Sequence, residues 1–346
     1  MLSLRMYGVD QFHFDELPEP EPEDEGLVIK VKAAAICGTD VRMLSSGCSH
    51  IDKDHPLALG HEFAGVIAKL GKKTKGYSIG GRVSVAPNIG CGKCDLCVSG
   101  NTHLCNDYQA FGIHRDGSFA EYVNIPASAV SQGNITLLPD NIDYVSAALA
   151  EPLSCAINGM EHYRVFPGDQ VLIIGAGAIG LIHAKLARLS GASLVVISDL
   201  VEERLQVCKQ IDPTYVPVLD ISPAHAKSLT DGHGFDVVIT ACPSAKAQQS
   251  ALDLAAVNGR ICFFGGLPSG RSQVELNSNL IHYKQLLVTG STRANLRQYR
   301  YGIKMLSAGY LSVRELVTGY GALRDFPILL DAARHARGLK NVVLFD

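Results

Sequence analysis

Val171-Leu-Ile-Ile-Gly-Ala-Gly-Ala-Ile-Gly180 is the most informative stretch of this chain. Residues 171–174 form a short apolar run, three glycines follow, and residues 181–189 continue with helical apolar spacing, so the glycines sit between a strand and a helix. Gly175 permits a tight turn, Gly177 lets the backbone approach a pyrophosphate, and Gly180 lets helix and strand pack closely. The helix start, with Ala178 and Ile179 in its first turn, would then face the anion. The next apolar run, 194–198, ends at Asp199, 19 residues after Gly180. A carboxylate there can accept hydrogen bonds from ribose hydroxyls and repels a 2′-phosphate, which favours NAD over NADP. Glycines that serve only an α/β turn are the plainer alternative, and having strand, helix and acid in register argues against it. Arg204 falls either over the adenine side or on a solvated helix face.

Outward from this motif, the apolar runs 236–241, 260–264 and 286–289 alternate mostly with helical stretches. Such a β-α-β series folds as a doubly wound parallel sheet with helices on both faces and ligands at the carboxyl ends of its strands. Residues 27–122 read differently, as short β-branched runs between glycine-rich turns, the pattern of an irregular β-rich domain. Helical spacing returns from Arg297, and a last strand at 341–345 could rejoin that first domain. The expected division is therefore a cofactor domain over 152–292 and a second domain from 1–151 and 293–346, an α/β chain overall. The Pro/acid run 19–25 reads as a solvated turn.

The 346 residues and 37.0 kDa fit two domains of ordinary size. With 47% hydrophobic and 19% charged residues and a net charge of −3, the chain shows neither a disordered composition nor a basic nucleic-acid surface. Its longest weakly polar run, 171–184, is 14 residues, short of the ~18 that suggest a membrane span. No secretory pattern appears at residues 1–10, so the reading is a cytoplasmic chain with no membrane or nucleic-acid partner.

Four of the ten cysteines, Cys91, Cys94, Cys97 and Cys105, lie within 15 residues, where an even scatter would place fewer than one. Thiols so close gain little unless a metal organises them, and four thiolates on a loop suit a closed tetrahedral zinc, with an iron–sulfur cluster as the competing reading. A closed site leaves no position for substrate, so its role is to staple a lobe. A second set is dispersed: Cys37-Gly-Thr39-Asp40, then Gly60-His61-Glu62, then Glu151-Pro-Leu-Ser-Cys155. Taken singly, each Cys or His is as easily a packed core residue. Beside a hydride-accepting cofactor they suggest a zinc with an open position, which activates an alcohol by lowering its pKa.

These motifs, in this order, resemble the zinc-dependent medium-chain alcohol and polyol dehydrogenases over essentially the whole chain, and Glu151-Pro-Leu-Ser looks like the sorbitol dehydrogenase branch. The resemblance implies a GroES-like catalytic domain and a Rossmann cofactor domain. It implies that Cys37 and His61 bind a catalytic zinc while Glu62 and Glu151 share the carboxylate role, one direct and one outer, with either assignment open. Asp40 would orient His61, and Thr39 would carry the proton from the substrate hydroxyl. NAD would touch Ile179, Asp199, Arg204, Phe264, Gly265, Gly266, Ser291, Thr292 and Arg293. Arg42 stands where many relatives carry a relay histidine, and it cannot act as a neutral relay. Met43 replaces an aromatic, and Arg293-Ala294 an Arg-Tyr pair, at positions that contact polyols. Arginines near the zinc would suit an anionic substrate, unless Arg42 pairs with a neighbouring acid.

The expected function is hydride transfer from a secondary hydroxyl of a sorbitol-like polyol to NAD, giving a ketose, with two zinc ions per chain. Alternatives are a polyol-phosphate dehydrogenase of galactitol- or arabinitol-phosphate type, a threonine dehydrogenase, or a non-catalytic nucleotide-binding protein on the same fold. A homo-oligomer, tetramer or dimer, is expected by the same resemblance.

Overall fold

The structure, a computed structural model, describes every residue except Ser269. Residues Cys155–Thr292 form one compact unit, and Met1–Ser154 together with Arg293–Asp346 form another.

The first of these is built on six parallel strands: β1 (Gln170–Ile174), β2 (Leu194–Asp199), β3 (Val216–Leu219), β4 (Phe235–Thr240), β5 (Ala255–Phe263) and β6 (Leu287–Gly290). Their order across the sheet is 3-2-1-4-5-6, the doubly wound arrangement in which the chain reverses direction beside β1. Five of the six match apolar runs expected from the sequence, with β5 starting at Ala255, earlier than its run. The exception is β3, a four-residue edge strand interrupted by Pro217, where a missing N–H is tolerated because one side has no partner strand. Gly175 takes φ +118°, and a Cβ on Gly180 would stand 1.8 Å from the Gly175 carbonyl, so the helix Ala178–Leu189 can start only where both residues are glycine. Leu172, Val196, Val238 and Ile261 are fully buried beneath this sheet, each contributing about 1.5–3 kcal/mol relative to exposure.

The other unit carries a seven-stranded sheet around Leu27–Ala35, whose alternate residues Leu27, Ile29 and Val31 join the core with Phe63, Phe119 and Phe326. Glu62–Leu70 pairs antiparallel along one side of this strand, with Glu62 opposite Ala35. Lys340–Leu344 pairs antiparallel with it as well, with Val342 opposite Ala35, so the late strand rejoins this sheet. Ala33, Ala34 and Ala35 are fully buried at the end that leads into Cys37. Residues 17–26 lie outside regular structure, and Glu19 and Glu21 pair with Lys69 there.

Candidate active site and metal centres

That register places Cys37, His61, Glu62 and Lys340 around one strand end. Cys37 caps the helix Gly38–Ser46, and Asp40 in the helix's first turn accepts the Cys37 N–H on Oδ2 at 2.8 Å. The other Asp40 oxygen accepts the Gly60 N–H at 3.2 Å and faces His61 Nδ1 at 3.6 Å. A fully buried carboxylate thus fixes both segments, and its contact with Nδ1 leaves Nε2 as the ring nitrogen open to a metal. One ligand atom each from Cys37, His61 and Glu62 lie within 4.8 Å of one another. Burial works against charge on His61, yet facing Asp40 and Cys37 outweigh it and hold the ring well above its ordinary pKa.

Glu62 is completely buried and meets Lys340 Nζ through both oxygens, at 2.7 and 2.6 Å. Lys340, itself 7% exposed, loses solvation, but Glu62, Cys37 and Glu151 hold its pKa above the ordinary value. Sequence reasoning missed this lysine; only strand register brings it to Glu62, and no spacing rule marks it. Glu151 opens the helix Ala150–Tyr163 and is 8% exposed; its charge reaches Lys340 and Tyr299, but it is outside the three-residue ligand group. Thr39 lies in the Gly38–Ser46 helix, where the exposed Arg42 guanidinium approaches its Oγ1 at 3.4 Å. Met43, on the same helix, is 7% exposed and packed in the core. Arg293 adopts φ +57°, lays its guanidinium 3.9 Å over the Tyr108 ring and donates to the His103 carbonyl at 2.9 Å. It clasps the segment that flanks Cys105.

The four-cysteine group also converges, with its sulfurs within 4.8 Å of one another. Cys91 and Cys97 sulfurs are 4.0 Å apart and those of Cys94 and Cys105 3.8 Å, close to the ~3.8 Å expected for four thiolates each ~2.3 Å from a tetrahedral zinc. The N–H groups of Lys93 and Cys94 point at Cys91 and pull its thiol down to about 6, while burial pushes Cys97 up to about 12. A Cβ at Gly90 would lie 2.5 Å from Cys97 Sγ, so glycine is required beside the cluster. All ten cysteines are free thiols. Both donor sets fit zinc: one closed and all sulfur, the other with three protein ligands and a position to spare.

In the six-stranded unit, Asp199 ends β2 and accepts the Ala176 N–H on Oδ2 at 2.6 Å and the Leu200 and Val201 N–H groups on Oδ1, which ties the glycine turn to this strand. Arg204 follows in the helix Glu202–Ile211. Phe264, Gly265 and Gly266 leave the carboxyl end of β5, and Gly265 donates to the Thr240 carbonyl at 2.8 Å. Ser291 and Thr292 leave the end of β6, where Thr292 accepts from Asn158 at 3.2 Å. Asp199, Phe264, Gly265, Gly266, Ser291 and Thr292 therefore lie at the strand ends where doubly wound sheets bind ligands, whereas Arg204 lies on a helix and Arg293 belongs to the other unit.

Residues 23–136 match the alcohol dehydrogenase GroES-like domain and residues 178–308 the zinc-binding dehydrogenase domain. The chain is 31% identical to sorbitol dehydrogenase of Bacillus subtilis, over 99% of this chain and 96% of that one. It is 32% identical to L-threonine 3-dehydrogenase of an Enterobacter species, over 96% and 95%. Among solved structures it is similar to a protein of Sinorhizobium meliloti assigned as a zinc-binding dehydrogenase and bound to NADP, with a TM-score of 0.88, 29% identity and 99% of both chains covered. With the sheet order, both clusters of metal-binding side chains and the matches over nearly its full length agreeing, the chain belongs to the zinc-dependent medium-chain dehydrogenases, the alcohol and polyol dehydrogenase family, and so to the oxidoreductases that act on CH–OH groups.

Proposed function

We propose that this protein is a zinc- and NAD-dependent polyol dehydrogenase that oxidises a secondary hydroxyl to a ketone. The observation that carries the reading is the convergence of Cys37, His61 and Glu62, with Asp40 joining the first two from behind and Thr39 one helix position away. In this reading those three residues hold a catalytic zinc, Glu151 stands one layer out, and Cys91, Cys94, Cys97 and Cys105 hold a structural zinc. The charges support it: three anions, Cys37 as thiolate with Glu62 and Glu151, match a dication together with the Lys340 ammonium that Glu62 pairs directly. When bound, zinc lowers the pKa of a substrate hydroxyl and the nicotinamide accepts hydride. Thr39 Oγ1 would accept the hydroxyl proton while releasing its own hydroxyl proton to solvent, with the Arg42 guanidinium beside it disfavouring a positive charge on that oxygen. Asp40 keeps His61 in one tautomer and one orientation.

Gly175, Gly177, Ala178, Ile179 and Gly180 would receive the pyrophosphate, and the Asp199 carboxylate favours NAD, because a 2′-phosphate would meet a like charge. The ten free thiols fit a reducing, cytoplasmic compartment. A second reading changes the substrate alone: the exposed guanidinium of Arg42, 3.4 Å from Thr39, suits a phosphorylated polyol or the carboxylate of a hydroxy amino acid, as does the similarity to a threonine dehydrogenase. Initial rates of NAD and NADP reduction on matched sugar alcohols, their phosphates and threonine, with a chelator control, test both. Preference for neutral polyols with NAD supports the main reading; preference for anionic substrates supports the second. Chelator-insensitive inactivity on every substrate overturns both.

A further inference from the structure

A buried polar cluster behind β5 and β6 has no part in the chemistry described above. His183, in the helix Ala178–Leu189, is completely buried, and its Nδ1 lies 2.9 Å from the hydroxyl of the equally buried Tyr163. With the phenol donating to Nδ1, the ring carries its proton on Nε2, which has no hydrogen-bond partner among the described residues. Burial lowers the His183 pKa to about 3, so the ring is neutral throughout the working range. It packs against Phe264 in a T-shaped arrangement, with centroids 4.5 Å apart and planes at 81°. Gly159 opens the space for this approach: a Cβ there would lie 3.1 Å from Phe264, 3.2 Å from Ser291 Oγ and 3.3 Å from His183. The buried Ser291 hydroxyl sits against the Cys262 thiol, and Asn158, next to Gly159, holds the Thr292 carbonyl.

Phe264 and Ser291 leave adjacent strands, β5 and β6, whose last residues Phe263 and Gly290 are paired. In a doubly wound sheet each three-strand half binds one nucleotide of the pair. The half containing Asp199 takes the ribose of the adenosine, so the half containing β5 and β6 faces the nicotinamide.

We propose that His183 is a positioning residue for the nicotinamide end of the cofactor, its ring fixing Phe264 and, across Gly159, the neighbouring Ser291. This rests on the dinucleotide reading given above. It acts through packing alone, since the ring has no route to solvent and no charge to offer.

The test compares dissociation constants for NADH and for ADP-ribose, which lacks the nicotinamide, by calorimetry on the full-length zinc-loaded protein, with thermal unfolding alongside. His183→Asn keeps an acceptor for Tyr163 but removes the ring; it is expected to weaken NADH about tenfold and leave ADP-ribose within about twofold. His183→Phe keeps the ring but leaves the Tyr163 hydroxyl unpaired, so it should melt lower while keeping the wild-type ratio of the two constants. Gly159→Ala, which crowds the same three side chains, should reproduce the selective loss should His183→Asn fail to fold. An unchanged ratio in both His183→Asn and Gly159→Ala, with normal wild-type binding, overturns the inference alone. Wild-type protein that binds neither ligand overturns the dinucleotide reading and this inference with it.

Discussion

Cys91, Cys94, Cys97 and Cys105 come from a single loop, whereas Cys37, His61 and Glu62 come from a helix start and a strand entrance that only the sheet brings together. In the first group, chain proximity supplies the sulfur geometry: Cys91 accepts a backbone N–H, the thiols face one another, and the helix between them is four residues long, with Gln132 and Arg293 holding the loop from outside. In the second, the surroundings are finished before any ion arrives, with Asp40 pinning two segments and Lys340 neutralising Glu62 inside the core. On the zinc reading proposed above, the site assembled from local chain would need its metal to fold, and the site assembled by a sheet would need its metal to work.

Substitutions can break or sharpen that contrast. The largest effect is expected for Cys37→Ala, which should abolish turnover while thermal unfolding stays near wild type; a collapse in melting temperature instead would show that the dispersed site also depends on its metal for folding. Cys94→Ser should do the reverse for its own loop, exposing residues 91–105 to limited proteolysis and lowering the melting temperature, since closed zinc sites contribute folding free energy directly. In metal-free protein, Lys340→Met leaves the Glu62 charge buried and unpaired, with an expected loss of about 3–5 kcal/mol in denaturant unfolding. Lys340→Arg should recover part of it, and recovery in Glu62→Gln/Lys340→Met would identify charge rather than packing as the cause. Asp40→Asn should lower activity or metal affinity about 10–100-fold with a small change in stability, as removal of a ligand's orienting partner does.

The smallest effect is a control outside both clusters. His183 has a folded pKa of about 3, below its unfolded value, so the unfolded chain binds the extra proton and stability present above ~6.5 is lost as pH falls toward 3. Between pH 7 and 5.5 this amounts to ~1 kcal/mol, and the slope should flatten in His183→Phe. A slope that is unchanged would assign the acid sensitivity to those two clusters instead.

The same contrast explains how much could be read from the sequence. The four-cysteine loop and the glycine turn were legible because their meaning lies in spacing along the chain, and five strands of the parallel sheet announced themselves as unbroken apolar runs. The edge strand Val216–Leu219 did not, since Pro217 contradicts a strand pattern except where one side has no neighbour. Cys37, His61 and Glu151 entered through residue order shared with a family, because nothing local distinguishes a ligand from a packed side chain. Lys340 was invisible: a charged residue at the head of a late strand reads as solvent-facing until the pairing of Val342 with Ala35 places it against Glu62. Met43, expected beside substrate from the family resemblance, is packed into the core at 7% exposure, a placement that residue order does not reveal.

The pairing of Lys340 with Glu62 also sets a timetable. The two residues are 278 positions apart, so a ribosome releases Glu62 long before its counter-charge exists. At ~5–20 residues per second the nascent chain spends roughly 14–56 seconds with that carboxylate unmatched. The four-cysteine loop, complete by Cys105, can capture its ion during that interval. On the two-zinc reading proposed above, newly made protein should therefore acquire its metals in sequence, the structural one during synthesis and the catalytic one only after Lys340–Leu344 has docked.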